Sequence, residues 1–305
     1  MKALFQGLRL CLFSNQLPLQ YRPGSMGEER KRGRTQMRKF DGLLLVSDFD
    51  DTLYDHQRRI PQRNIQALRY FLSEGGRFTV ATGRAWRTFS PYAQLAPINA
   101  PVVLSNGSAL YDFQEGRMLK QTFLPLSAPE DLSAVLDQFP RLALEAYFGE
   151  DVYVHRPSPI TWAHLEKVGV PCTQLPPARV PLPWTKAMLQ EEPGLLQQAR
   201  DWFLSRYGWG YEAIFSNPYY LEITRKGSTK GDMVAEVARM LDIAPEHIYC
   251  VGDNQNDIPM LEQSAIPFAP SNCAREVREW GARILCHCDN GVIGDIVEIL
   301  DRLYP

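Results

Sequence analysis

The sequence predicts an α/β protein: a three-layer core around a parallel sheet, interrupted by a second, α+β domain. Three observations carry this. Short, mainly apolar runs without polar alternation recur at residues 43–46, 78–81, 101–104 and 247–251, as strands buried on both faces require. Segments with helical spacing separate them, which argues for right-handed βαβ units. Texture then changes between residues 126 and 215, where prolines and aromatic residues crowd together, the mark of an inserted domain.

The first strand covers residues 43–47 and ends in Asp48-Phe49-Asp50-Asp51-Thr52. Parallel strands present their carboxyl ends to a crevice where ligands bind. Asp48 and Asp50 leave the strand on the same side if the extended period continues. Two carboxylates about 4 Å apart repel by roughly 4 kcal/mol at an effective dielectric near 20. A cation between them, or a proton on one, is therefore expected. One Asp would serve as a helix N-cap; three at a buried strand end suit that role poorly.

A helix follows over residues 61–75, with Pro61 in its first turn and Gly75-Gly76 as its stop. The strand at 78–81 ends in Thr82-Gly83-Arg84, and a helical segment covers 86–95. The strand at 101–104 ends in Ser105-Asn106-Gly107. Residues 110–112 and 118–120 flank Gly116 as a hairpin. The inserted domain carries helices at 130–139 and 195–207 and a strand at 151–155. Trp162, Trp184 and Trp202 read as its core. Arg156, Arg179 and Lys186 read as solvated cations rather than a second anion site. The core texture returns with a strand at 219–223. Lys230-Gly231 opens a helix with Met233, Val234, Val237 and Leu241 on one face. The strand at 247–251 ends in Gly252-Asp253-Asn254-Gln255-Asn256-Asp257. Strands at 266–269 and 283–286 and an amphipathic helix at 292–303 complete the chain.

Composition excludes little and permits much. The 305 residues are 45% hydrophobic and 22% charged, enough for two domains. A net charge of −2 gives no reason to expect nucleic acid or an anionic membrane as partner. No apolar run approaches the roughly 20 residues of a span. Six scattered cysteines without a disulfide framework favour a reducing, cytoplasmic setting. Cys286-His287-Cys288 is spaced more tightly than zinc pairs and no second pair follows, so it is not read as a metal site. Residues 1–40 read as a disordered basic extension, with the run Arg30 to Lys39 as a solvated arm. Met26 is a candidate native start, because folded-domain periodicity begins only near Phe40.

The strand and helix ends thus carry Asp48 with Asp50, Thr82, Lys230, and Asp253 with Asp257. Carboxylates for a cation, a hydroxyl donor and an ammonium are the set that phosphoryl transfer needs. Lys230 stands at a helix start, where a cation opposes the dipole, which favours a functional role. Asp257 has the plainer alternative of a helix N-cap.

In that order and separation these motifs resemble the haloacid dehalogenase (HAD) superfamily. Asp48-Phe49-Asp50-Asp51-Thr52 matches its first motif, Thr82 its second, Lys230 its third, and Gly252 through Asp257 its fourth. Ser105-Asn106-Gly107, Pro259-Met260-Leu261, Ser271-Asn272 and Asn290-Gly291-Val292 further resemble the Cof-type branch. The resemblance implies a Rossmann-like three-layer core, residues 41–125 and 216–305, with an α+β cap at 126–215 that sets substrate specificity. It implies a Mg2+-dependent phosphomonoester hydrolase acting on a small-molecule phosphate ester, a sugar phosphate by expectation, through an aspartyl-phosphate. Asp48 would be the nucleophile and Asp50 the acid and base. Thr82 and Lys230, with Asn106 nearby, would hold the phosphoryl group. Asp48, the Asp50 carbonyl and Asp253 would bind magnesium, and Asn256 and Asp257 would orient this set. One departure is Asp51, where many members have Gly. A phosphomutase and a non-catalytic phosphometabolite-binding protein are the alternatives.

Overall fold

The computed structural model describes residues 38–305. Most of the expected basic extension, and Met26 as the candidate native start of the chain, lie outside these residues. The last position of that extension corrects the boundary. Phe40 is fully buried against Tyr70 and Phe71, because an aromatic ring beside the first strand gains by closing that end of the core.

The chain enters the core through β1 (Leu44–Ser47), α1 (Gln62–Ser73), β2 (Arg77–Val80) and the single turn α2 (Trp86–Phe89). Next come β3 (Val102–Leu104), β4 (Ala109–Asp112) and β5 (Arg117–Gln121). The hairpin β4–β5 is as expected, but β3 is not a full member of the parallel sheet. It touches that sheet through one bridge, Ala81 to Val103, and pairs antiparallel with β4.

The insertion comprises α3 (Ala128–Gln138), β6 (Ala143–Phe148), β7 (Asp151–His155), α4 (Pro159–Val168) and β8 (Cys172–Gln174). It continues with β9 (Lys186–Gln190), α5 (Pro193–Tyr207), β10 (Tyr211–Asn217) and β11 (Tyr220–Arg225). Its six strands are ordered β10-β11-β9-β6-β7-β8. Leu132, Leu136, Leu196 and Phe203 of α3 and α5 cover one face of that sheet. The strand expected to return the chain to the core at 219–223 is β11, and it belongs here. It is paired antiparallel on both sides, with β10 and β9. An apolar strand does not announce which sheet it joins, so the expected boundary at residue 216 moves past Arg225. The sequence does not announce helix α4, because its apolar positions form no sustained stripe. Its ends are nevertheless written there: Ser158 and Thr161 form a capping box and Gly169 closes it in the left-handed region.

The chain then completes the core with α6 (Lys230–Met240), β12 (Ile248–Val251), the turn α7 (Ile258–Leu261) and β13 (Ile266–Ala269). The last elements are α8 (Arg275–Trp280), β14 (Arg283–Ile284) and α9 (Val292–Leu303). The core sheet is parallel throughout, in the order β14-β13-β12-β1-β2. β1 lies between β12 and β2, with Leu44 paired to Ile248 and Arg77. Leu43 and Leu45 face a cluster containing Phe71 and Ile296; Leu44 and Val46 face one containing Met233 and Val237. This explains the unbroken apolar run: each face of β1 meets its own helical layer. No helix among the described residues is long and apolar enough to cross a membrane.

Candidate active site

The carboxyl ends of β1, β2 and β12 deliver their next residues to one cleft. Asp48 follows β1 directly, and Lys230 opens α6. The capping box of Thr229 with Asp232 satisfies the first amides of that helix, so Lys230 is not needed for the cap. Its ammonium instead donates to Asp48 Oδ1 at 2.5 Å and to Asp257 Oδ1 at 2.6 Å, fully buried. These carboxylates outweigh the unfavourable helix dipole. Asp257 Oδ2 accepts from the Asp253 and Asn254 amides, each at 3.0 Å. Asp257 therefore ties its own loop, much as a cap would, and holds Lys230 as well. Asp253 Oδ1 accepts from the Thr52 hydroxyl at 3.2 Å. Asp48, Asp253 and Asp257 each offer an oxygen within 4.8 Å of the others.

Thr82 is buried in the cleft wall beside Asp48; its Oγ1 accepts from the Arg84 amide at 3.1 Å. Asn106 sits in the left-handed region, φ 56°, a strained position that local contacts must hold. Its Oδ1 accepts from Asn256 Nδ2 at 2.9 Å. Its own Nδ2 is buried without an acceptor among the described residues. Gly107 lets this turn lie against α6: its φ is +103°, and a Cβ there would overlap the Thr229 carbonyl.

Asp50 stands apart from the three-carboxylate cluster. Its side chain accepts both arms of Arg84, Nε at 2.8 Å and Nη2 at 2.6 Å, the strong bidentate form. The guanidinium lies 4.5 Å from the Tyr92 ring centre and 5.1 Å from that of Phe49. A carboxylate partner for Arg84 is the ordinary expectation from sequence, but which carboxylate is decided only by the fold. Asp51 has φ 59°, a conformation glycine adopts freely and Asp tolerates better than most residues.

The inserted domain closes the cleft, about 220 Å³, from the other side. Lys186 and Glu222 line it as a buried pair 3.0 Å apart. Lys186 also donates to the Gly83 carbonyl at 3.2 Å, across the two domains. This corrects the reading of Lys186 as a solvated cation. The available signal was a charge at the start of the apolar run of β9 and another within β11. Arg156 donates to the Leu136 carbonyl, and neither it nor Arg179 lines the cleft. Trp184 is core, and none of the three tryptophans reaches the cleft.

The family model of haloacid dehalogenase-like hydrolases matches residues 45–295. The chain belongs to the HAD superfamily, in its Cof-type branch. Its relatives include the pyridoxal phosphate phosphatase YbhA of Escherichia coli, 23% identical over 77% of this chain and 90% of that protein. Another is the 5-amino-6-(5-phospho-D-ribitylamino)uracil phosphatase YwtE of Bacillus subtilis, 24% identical over 85% of this chain and 99% of that protein. Among solved structures, the HAD subclass IIB sugar phosphatase BT4131 superposes with a TM-score of 0.73, at 18% identity, covering 85% of this chain and 99% of that one. That similarity establishes the shared fold. The chain is a HAD-type phosphatase.

HAD phosphatases are metal-dependent as a class, and the donor set fits a hard dication. Fully ionised, three carboxylates against one ammonium would leave two uncompensated negative charges in a buried place. Burial raises the Asp48 carboxyl to about 8, against the pull of Lys230 and with the push of Asp257. Burial, then Asp48 and Asp257, push Asp253 well up. Burial alone would lower the Lys230 ammonium; Asp257 and Asp48 reverse this and hold it charged. A dication would cancel the two excess charges and keep the carboxylates ionised with oxygen ligands.

These shifts make stability depend on pH. A carboxyl whose folded pKa is raised binds more protons folded than unfolded, so its contribution is fully present below the unfolded value. It is lost as pH rises toward the folded one. Metal-free protein is therefore expected to lose stability between about pH 4 and about pH 8. Millimolar magnesium should restore it, with a melting-temperature increment that widens over that window. An increment that is zero, or that narrows as pH rises, would count against a dication among these carboxylates.

Proposed function

We propose that this HAD phosphatase hydrolyses small phosphomonoesters, sugar-type phosphates in particular, with magnesium and through a phosphorylated Asp48. The observation that carries the proposal is the placement of Asp48: fixed by Lys230 through one oxygen, beside uncompensated carboxylates, in the wall of a cleft. The other oxygen of Asp48 attacks phosphorus. An Asp48–phosphorus bond forms, the ester phosphorus–oxygen bond breaks, and the leaving oxygen takes a proton from Asp50. Water then attacks the phosphorylated carboxylate while Asp50 accepts its proton, and inorganic phosphate departs with Asp48 regenerated.

Lys230, Thr82 and Asn106 hold the phosphoryl oxygens. The unpartnered Asn106 amide supports its inclusion, since an acceptor delivered by the substrate would satisfy it. Asp257 and Asn256 are positioning residues, acting through Lys230 and Asn106. Arg84 positions Asp50, and one carboxylate oxygen must leave its fork before Asp50 carries a proton. Asp48, Asp253 and the Asp50 main-chain carbonyl would hold magnesium, which supplies positive charge against the phosphoryl oxygens.

The modest volume of the cleft, and the group of polar side chains on its inserted-domain wall, support a compact, hydroxylated substrate. Lys186, Glu222, Ser216 and Asn217 offer donors and acceptors to hydroxyl groups. The named relatives, each a phosphatase of a small phosphate ester, support the same class. The described cysteines are free thiols, in keeping with a reducing cytoplasm.

A panel of sugar, nucleotide and cofactor phosphates, with magnesium or with chelator, tests the proposal. The expected result is inorganic phosphate released in proportion to substrate lost, only with magnesium. Substrate loss without phosphate release would indicate a mutase instead.

A further inference from the structure

Cys286-His287-Cys288 lacks a second metal-binding pair in sequence, but the fold brings His56 to His287, Cys288 and the adjoining Asp289. His56, in the loop after the catalytic strand, lies against the turn at 287–290. Its amide donates to Asp289 Oδ1 at 3.1 Å, and its Nδ1 is 3.6 Å from the same oxygen. His287 Nδ1 is 3.5 Å from Asp289 Oδ2 and 3.6 Å from Cys288 Sγ. Cys288 Sγ is 3.5 Å from Asp289 Oδ1. One donor atom from each of the four residues lies within 4.8 Å of all the others.

A tetrahedral ion with ligand bonds of about 2.0–2.3 Å spaces its ligand atoms roughly 3.3–3.8 Å apart. The four separations above, 3.5–3.6 Å with both oxygens of Asp289 taking part, fall in that range, and the remaining pairs lie within 4.8 Å. A second feature is independent of these four. His56 Nε2 stands 3.5 Å from Asp51 Oδ1, so the imidazole edge opposite Nδ1 faces a carboxylate. That pairing fixes the tautomer and orientation of metal-bound histidines.

We propose that His56, His287, Cys288 and Asp289 bind one zinc ion, with Asp51 orienting His56. Two imidazoles and a thiolate select a borderline-soft ion, whereas the all-oxygen set at Asp48 and Asp253 suits a hard one. The hydrogen bond that His287 Nδ1 accepts from the Asp289 amide at 3.2 Å is given up when that lone pair turns to the ion. Zinc there cross-links the loop that carries Asp50 and Asp51 to the turn before α9.

Cobalt(II) is the probe, added to the full chain in excess magnesium, with zinc as competitor. The expected result is one cobalt per chain with thiolate-to-cobalt charge-transfer absorption, displaced by one equivalent of zinc. The Cys288→Ser variant should lose the band. Asp51→Asn should weaken binding by about 10–100-fold, and His56→Ala by more. Cys288 is fully buried and its replacement can disturb folding; the half-exposed His56 provides the second variant. Its melting temperature in magnesium alone should match the parent. No charge-transfer band at saturating cobalt, or unchanged affinity in folded His56→Ala, overturns the proposal. Cobalt bound only to the catalytic carboxylates gives no thiolate band, so the readout is separate from whether the enzyme turns over a phosphate ester.

Discussion

Asp48→Asn is expected to lower turnover of an aryl phosphate by roughly 10⁴-fold or more, the scale seen when a covalent nucleophile is removed. The fold should survive. The carboxamide that replaces the carboxylate still offers an oxygen to the Lys230 ammonium, which in the parent touches Asp48 at 2.5 Å. The substitution also removes one of three converging carboxylates, so the metal-free variant should melt no lower than the parent. Its gain in melting temperature from magnesium should shrink, because less negative charge remains to be neutralised. Steady-state kinetics and paired melting curves, with magnesium and with chelator, measure both. Activity within tenfold of the parent would remove Asp48 from the chemistry.

Lys230→Met should have the largest effect on stability. The ammonium is buried and divides its donors between Asp48 and Asp257. Methionine keeps much of the chain's bulk and leaves both carboxylates without a cation. Breaking a buried pair in this way costs about 3–5 kcal/mol. Urea unfolding in chelator should show that loss, and magnesium should recover part of it by supplying charge to the same cluster. Turnover should also collapse, since Lys230 is assigned to a phosphoryl oxygen. A loss below about 1 kcal/mol, typical of exposed pairs, would mean that Lys230 does not neutralise this cluster.

The core elements were legible where chain-local physics decides them. β1 and β12 are central and buried on both faces, and each announces itself as an unbroken apolar run. α9 was readable residue for residue because one face is consistently apolar. The polar ends of these elements were readable for the converse reason: Asp48, Lys230 and Asp253 stand where stability alone would not put a charge. The rest depends on contacts between distant segments. Nothing local to Tyr220–Arg225 shows that β11 pairs with β9 rather than with the core sheet. The Arg84 fork on Asp50 and the Lys186–Glu222 pair each arise only when two separate segments meet, and the Lys186 contact with Gly83 only when the two domains do. His56 reaches Cys288 and Asp289 through the fold alone, so counting cysteine spacings could not find that cluster. Asp51 was visible as a departure from glycine, and its left-handed backbone, φ 59°, gives the physical reason that glycine suits the position.

The most direct test is to trap the intermediate. Enzyme mixed with a turning-over phosphomonoester and magnesium, quenched in acid and reduced with borohydride, would convert an acyl phosphate to homoserine. Peptide mass analysis should find homoserine at position 48 and at no other aspartate. Unmodified Asp48 during verified turnover, or modification at Asp50 or Asp253 instead, would contradict nucleophilic attack by the residue that Lys230 holds in place.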